Sequence, residues 1–202
     1  SIQQSVTTGE FVLDQRKRLV KLRQSPYFGR FDFRMSGHEQ PHPVYIGVHH
    51  FYDEIDKENV VYDWRAPIAS LFYDYETGPA AYQAPEGQVA GDIELKRQFR
   101  IRGGQIELMI DSAVNVVDDV LQDELGRATD DGMKNIVATI QRDQNAIIRN
   151  EHAKTLIIQG VAGSGKTSIA LHRIAFLLYR FKDTLSSEDI LIISPNSVFA
   201  DY

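Results

Sequence analysis

Eight consecutive residues, Gly160-Val161-Ala162-Gly163-Ser164-Gly165-Lys166-Thr167, match the pattern G-x-x-x-x-G-K-[ST] at every defined position. The chemistry that such residues perform is the binding of nucleotide phosphates. Gly160, Gly163 and Gly165 let the backbone bend tightly enough to aim several N–H groups at one phosphate. The helix that starts with Lys166, Thr167 and Ser168 adds its positive end. Lys166 brings a mobile charge to the β- and γ-phosphates, and the Thr167 hydroxyl is a hard oxygen suited to Mg²⁺. The flanks separate this loop from a chance glycine turn. Thr155-Leu156-Ile157-Ile158-Gln159 reads as a buried-type strand, a helix is predicted from about Lys166 to Phe181, and Ile190-Leu191-Ile192-Ile193 reads as a second strand. Strand, loop, helix, strand is a βαβ unit, whose strands run parallel.

Gln144 stands sixteen positions before Gly160. A glutamine amide donates and accepts at once, as the edge of adenine that includes N7 demands. Taken alone, a glutamine in this setting is more often a solvated helix residue. Other candidates yield to structural readings. His38 and His42 flank Pro41 in a loop with no third ligand placed to complete a metal site. His49 and His50 are adjacent on an expected strand, so they point to opposite faces and cannot ligate together. Lys96, Arg100 and Arg102 line one strand face, where Glu107 and Asp111 on the next strand offset two of the three charges. Leu108-Met109-Ile110-Asp111 ends in a single acid ahead of the loop and reads as structural. Trp64 and Arg65, just before a proline, read as core packing with a buried ion pair, or else as a partner contact.

The elements that must position these groups come in three stretches. Residues from about Glu10 to Gln24 have helical spacing, with Phe11, Leu13, Leu19 and Leu22 among Arg16, Lys17, Arg18, Lys21 and Arg23. From Tyr27 to Asp111 the pattern is of strands: Tyr27–Phe33, Val44–Val48, Val60–Trp64 and Ser70–Tyr73, separated by turn formers. Ile93–Arg102 and Gln105–Asp111 flank Gly103-Gly104, a two-residue hairpin turn. That turn predicts Ile101 opposite Ile106, Phe99 opposite Leu108, Arg100 opposite Glu107 and Lys96 opposite Asp111. Ser112–Leu125 and Asp131–Arg149 then carry apolar residues at helical spacing.

The 202 residues include 43% hydrophobic and 25% charged side chains, enough for a buried core. The net charge of −6 falls entirely on residues 1–149, with 17 bases and 23 acids. A surface devoted to wrapping nucleic-acid phosphates is basic, so the charge argues against that as the chain's main function. Absent cysteine excludes a disulfide scaffold, a cysteine-ligated zinc site and a cysteine nucleophile. No apolar run approaches the roughly 20 residues of a membrane span, and the start has neither the basic head nor the apolar middle of a signal peptide. A soluble intracellular protein, or a piece of one, is expected.

Gln144 together with the run from Gly160 through Thr167-Ser168-Ile169-Ala170-Leu171-His172-Arg173-Ile174-Ala175 resembles the start of a UvrD/Rep-type superfamily 1 helicase motor. More narrowly, Val61-Tyr62-Asp63-Trp64-Arg65-Ala66-Pro67-Ile68, Leu95-Lys96-Arg97-Gln98-Phe99 and Ser194-Pro195-Asn196 resemble the HelD family, helicase-like bacterial ATPases that bind RNA polymerase and help to release it from stalled or spent complexes. The similarity runs from about Tyr27 to the end. It implies ATP and Mg²⁺ as cofactors, Gln144 as an adenine contact, RNA polymerase as partner and the bacterial cytoplasm as location. It also implies an α/β fold: an incomplete P-loop NTPase (RecA-like) half-domain with parallel strands, preceded by an antiparallel β-subdomain and linking helices. The expected division is 1–26, the tail of an N-terminal coiled coil; 27–111, the β-subdomain; and 112–202, helices and a truncated P-loop lobe.

UvrD-like motors follow the loop helix with Thr-Phe-Thr-Asn-Lys, which holds single-stranded DNA, whereas here the stretch is Ile193-Ser194-Pro195-Asn196-Ser197. The stacking aromatic and the lysine are missing, so weak DNA binding is expected. No Asp-Glu pair follows Asn196 to hold Mg²⁺ and position water. The expectation is therefore a fragment that binds nucleotide but hydrolyses it poorly. Two rival readings stay open: a true DNA helicase lobe, and a non-enzymatic interaction module in which the loop is vestigial and the acidic residues 1–149 mimic nucleic acid.

Overall fold

The computed structural model describes residues 16–111, 138, 140–161 and 163–193. The chain divides into two compact units, Ser1–Asn145 and Ala146–Tyr202. In the first unit, helix α1 (16–24) leads into strands β1 (Gly29–Met35), β2 (His42–Gly47), β3 (Phe51–Asp53) and β4 (Glu58–Asp63). A 3-10 turn (Pro67–Ala69) and helix α2 (Ser70–Asp74) precede β5 (Gly78–Ala84), β6 (Gly87–Arg102) and β7 (Gln105–Asp111). The sheet order is β3-β4-β2-β1-β6-β5, with β7 also paired to β6. Pairing is antiparallel except between β2 and β4, where Ile46 and Gly47 align in parallel with Tyr62 and Asp63. The sheet is mixed, which corrects the expectation of a purely antiparallel subdomain. Helix α3 (Arg142–Ile148) spans the boundary between units, and α4 (Lys166–Arg180) lies in the second.

Alternation along β1 and β2 builds the core. Phe31, Phe33, Val44 and Ile46 are buried, while Arg30, Asp32 and Tyr45 on the other face stay half-exposed. Arg30 there holds Asp32 at 2.7 and 2.9 Å and reaches the Tyr45 hydroxyl at 3.2 Å. Gly29 is glycine for a steric reason, because an added Cβ would stand 2.6 Å from the Phe72 ring. Gly91 is tighter still, its Cβ position lying 2.3 Å from the Arg34 carbonyl oxygen on the paired strand.

Ser70–Tyr73, expected as a strand, is helical. Pro67 supplies the fixed φ that opens the 3-10 turn, and the chain continues into α2 with Leu71, Phe72 and Tyr73 all buried. A short apolar run fits a buried strand or a buried helix equally well, and packing chose. The sequence pattern also missed β3 and β5 and started β6 six residues late.

The β6–β7 hairpin forms around Gly103-Gly104, both at positive φ, with Ile101 opposite Ile106 as expected. A bulge between Arg100 and Ile101 then shifts the register by one. Phe99 pairs with Met109 rather than Leu108, Arg100 aligns with Leu108 rather than Glu107, and Asp111 meets Arg97, at 3.1 Å, rather than Lys96. Arg100 and Arg102 still reach Glu107, at 3.2 and 3.8 Å. Lys96, expected on a solvated paired face, is 7% exposed. Its ammonium donates to the Tyr75 carbonyl at 2.7 Å and to Glu76 at 3.3 Å, 5.3 Å from the Phe72 ring centroid. Burial pulls its pKa below the ordinary lysine value, against the pull of Glu76.

Trp64 is buried, and Arg65 forms a bidentate pair with the buried Asp63 at 2.8 and 2.7 Å, which agrees with the core-packing reading. His49, in a bend, and His50, just after it, lie between β2 and β3 and not on a strand, so strand alternation does not govern them. The expected helix Ser112–Leu125 lies outside the described residues. Of the expected helix Asp131–Arg149, residues 142–148 are helical and those before residue 138 are likewise outside the description.

Two further expectations fail in the second unit. Thr155–Gln159 and Ile190–Ile193 are not strands, and Ile157, Leu191 and Ile193 are 84, 83 and 87% exposed. Parallel strands are stable when neighbours pair their edges and other layers cover both faces. Among the described residues neither is supplied, so the βαβ unit is not formed.

Candidate nucleotide-phosphate loop

Helix α4 begins where the glycine loop ends. Gly165 is its N-cap residue, in the left-handed region at φ +76°, and Gly163 is left-handed at φ +81°. A side chain at either position would strain the backbone. Ser164 N–H donates to the Val161 carbonyl at 3.3 Å and Ile169 N–H to the Gly165 carbonyl at 2.9 Å, closing first the bend and then the first helical turn. A Cβ at Gly160 would sit 2.5 Å from Ser164 Oγ, so the loop's two ends approach across that glycine. No side chain caps α4. The N–H groups of its first turn, which have no acceptor within the helix, therefore face the loop.

The Lys166 ammonium folds back over the bend. It donates to the Gly160 carbonyl at 2.9 Å and the Val161 carbonyl at 2.6 Å, with Ser164 Oγ at 3.5 Å. Thr167 is exposed at the helix start and Ser168 is half-buried behind it. Gly160, Val161, Gly163, Ser164, Gly165, Lys166, Thr167 and Ser168 are thus gathered in one bend and helix start. Ala162 lies outside the described residues.

Two residues that sequence reasoning left without a role anchor this helix. His172, 2% exposed, donates from Nδ1–H to the Ser168 carbonyl at 2.7 Å, one turn back. Arg173 donates to the Ile147 carbonyl at 2.9 Å and so caps the end of α3. Arg180 pairs with Glu151 at 2.8 Å, and the Arg149 guanidinium stands 5.3 Å from the Phe176 ring centroid. The i, i+4 spacing of Ser168 and His172 was the available signal for the first contact; nothing local announces the second.

Burial holds the His172 imidazole below the ordinary histidine pKa of 6.5, outweighing its bond to the Ser168 carbonyl, which acts the other way. As pH falls, the unfolded chain binds this proton before the folded one does. The stability contributed is complete above about pH 6.5 and is lost as pH drops toward the depressed folded value. Urea midpoints at pH 7.5 and 5.5 are expected to fall more for the wild-type chain than for His172→Gln. Equal falls in both would show that His172 does not titrate against folding.

Gln144 belongs to the first unit, as the third residue of α3. Its Oε1 accepts the backbone N–H of Gln141 at 3.1 Å, half of a capping box at the start of the helix. That leaves the amide Nε2 and a second Oε1 lone pair to offer to a ligand. The next residue, Asn145, is buried and donates to Asp74 at 2.7 Å.

No helix among the described residues is long and apolar enough to cross a membrane. No curated protein matches the chain. The family model described as DNA helicase IV HelD, N-terminal domain, matches residues 1–131.

Proposed function

Because the chain belongs to the family of DNA helicase IV HelD N-terminal domains, we propose that it is the ATP-binding portion of a HelD-like, superfamily 1 helicase-related ATPase that remodels or recycles RNA polymerase in the bacterial cytoplasm. The family match ends at residue 131, before the loop, so the loop is an independent line of support. One observation carries the reading: two left-handed glycines bend the backbone in front of an uncapped helix, with a lysine ammonium held at the bend. That donor set is all positive or N–H, and it suits a phosphate chain.

In this reading the backbone N–H groups of residues 160–168 and the Lys166 ammonium bind the phosphates, and Thr167 Oγ ligates Mg²⁺. Gln144 reads adenine through its amide. The bend and the start of α4 are the phosphate-binding end of a P-loop half-domain. DNA binding by this portion is weak.

Thermal unfolding of the 202-residue chain tests the proposal. Mg-ATP at about 100 times its dissociation constant adds roughly 2.7 kcal/mol of stability, an increase of several degrees in Tm for a chain of this size. AMP, lacking the phosphates that Lys166 contacts, is expected to shift it far less. No shift with Mg-ATP up to millimolar concentration overturns the reading.

A further inference from the structure

Helix α3, which carries Gln144, has only seven residues, Arg142–Ile148. That is below the roughly 12–15 residues at which an isolated helix is even marginal in water, so its shape depends on tertiary contacts. Two hydrogen bonds supply them near its start, both within the first unit. Gln98 of β6 donates to the Ala138 carbonyl at 3.3 Å, just ahead of the helix. Asn145, 1% exposed, donates from its side-chain amide to Asp74 Oδ1 at 2.7 Å. Asp74 is the last residue of α2. The next two residues, Tyr75 and Glu76, accept from the buried Lys96 ammonium of β6, so the end of α2 is itself tied to the sheet.

Gln141 closes the first turn of α3 with both of its backbone groups. Its N–H donates to Gln144 Oε1 at 3.1 Å, and its carbonyl accepts from Asn145 N–H at 2.8 Å. The buried Asn145 amide and the half-buried Gln144 amide therefore share one turn, and fixing the first fixes the direction of the second. Direction is what base reading requires. A glutamine reads adenine by donating from Nε2 to N7 and accepting the exocyclic amine at Oε1, whereas guanine presents an oxygen where adenine presents that amine. An amide free to swing could turn both N–H groups to guanine; one whose Oε1 is held meets guanine oxygen with oxygen. We infer that Asp74 is a positioning residue: through Asn145 it holds the first turn of α3, and with it the Gln144 amide, in the orientation that accepts adenine and rejects guanine. The inference rests on the proposed reading of Gln144 as the adenine contact. It assigns base selection to the unit that carries the sheet, while the residues proposed for the phosphates belong to the second unit.

Titration of the 202-residue chain with ATP, GTP and inorganic tripolyphosphate, each with Mg²⁺, tests it. The wild-type chain is expected to prefer ATP to GTP by about tenfold, within what one two-point contact to a base discriminates. Asp74→Ala is expected to bring that ratio to about one by weakening ATP alone, with GTP and tripolyphosphate unchanged. Asp74→Asn, whose amide oxygen accepts the same bond, restores most of the ratio. Asn145→Ala breaks the bond from the other side and leaves only Asp74, half-exposed and within reach of water. The same loss of preference is therefore expected in a chain that stays folded by circular dichroism. Equal weakening of all three ligands in these variants would make the bond merely structural and overturn the inference. A preference that survives both Asp74→Ala and Asn145→Ala but disappears in Gln144→Ala would also overturn it, while leaving the adenine reading of Gln144 standing. No preference for ATP in the wild-type chain, or no binding, would overturn that reading and this inference with it.

Discussion

Lys166→Ala is expected to weaken Mg-ATP binding by about 100-fold, close to 2.7 kcal/mol, while leaving the chain's own stability within about 0.5 kcal/mol. Both halves follow from where the ammonium stands. It donates to the Gly160 and Val161 carbonyls, and both residues are exposed. Truncation hands those carbonyls to water, at little cost to folding. A bound triphosphate would instead lose a charge-assisted bond, of the class worth roughly 1.5–3 kcal/mol. Lys166→Arg should restore little of the affinity, because a planar fork does not replace a compact ammonium that points between two carbonyls of a tight bend. Titration calorimetry with the three chains separates the cases. An unchanged dissociation constant in Lys166→Ala would mean that nucleotide does not use this loop. The split between affinity and stability matters as much as the loss, since a merely structural lysine would lower both together.

Phe31→Ala is expected to destabilise the first unit by about 3–5 kcal/mol, a large share of the roughly 5–15 kcal/mol that separates folded from unfolded domains. Phe31 is 0% exposed in the middle of β1, aligned with Val44 of β2 and Lys96 of β6. The cavity left behind would also open space near the buried Lys96. Its sequence neighbour is the control. Arg30 points to the other face, where it pairs with Asp32 in a half-exposed bond, and Arg30→Ala should cost no more than about 1 kcal/mol. Urea denaturation followed by circular dichroism measures both. Similar midpoints for the two variants would show that the two faces of β1 are not divided into core and surface as described.

Much of the local geometry was legible in the residues themselves. Gly103-Gly104 fixed the hairpin turn because few residues accept its positive φ angles. Gly165-Lys166 marked the start of α4 for the same kind of reason, and the helix runs to Arg180 close to where its apolar spacing ends. These features depend on conformational preferences within a few residues. The phosphate-loop candidates stand in one bend because they are consecutive, and no distant contact is needed to gather them.

Tertiary structure decided the rest. Ser70–Tyr73 carries the same aromatic run that a strand would, yet it coils into α2, where Phe72 meets Gly29, Phe28 and Lys96. The register of β7 slipped at the Arg100/Ile101 bulge, which no turn rule foresees, and the slip gave Asp111 to Arg97 instead of Lys96. Segments 155–159 and 190–193 have the composition of buried strands but stand exposed. Backbone preference is a property of the residue and its near neighbours. Pairing, register and burial belong to whatever surface arrives from far along the chain, and a strand without neighbours on its edges gains too little from its own composition to hide.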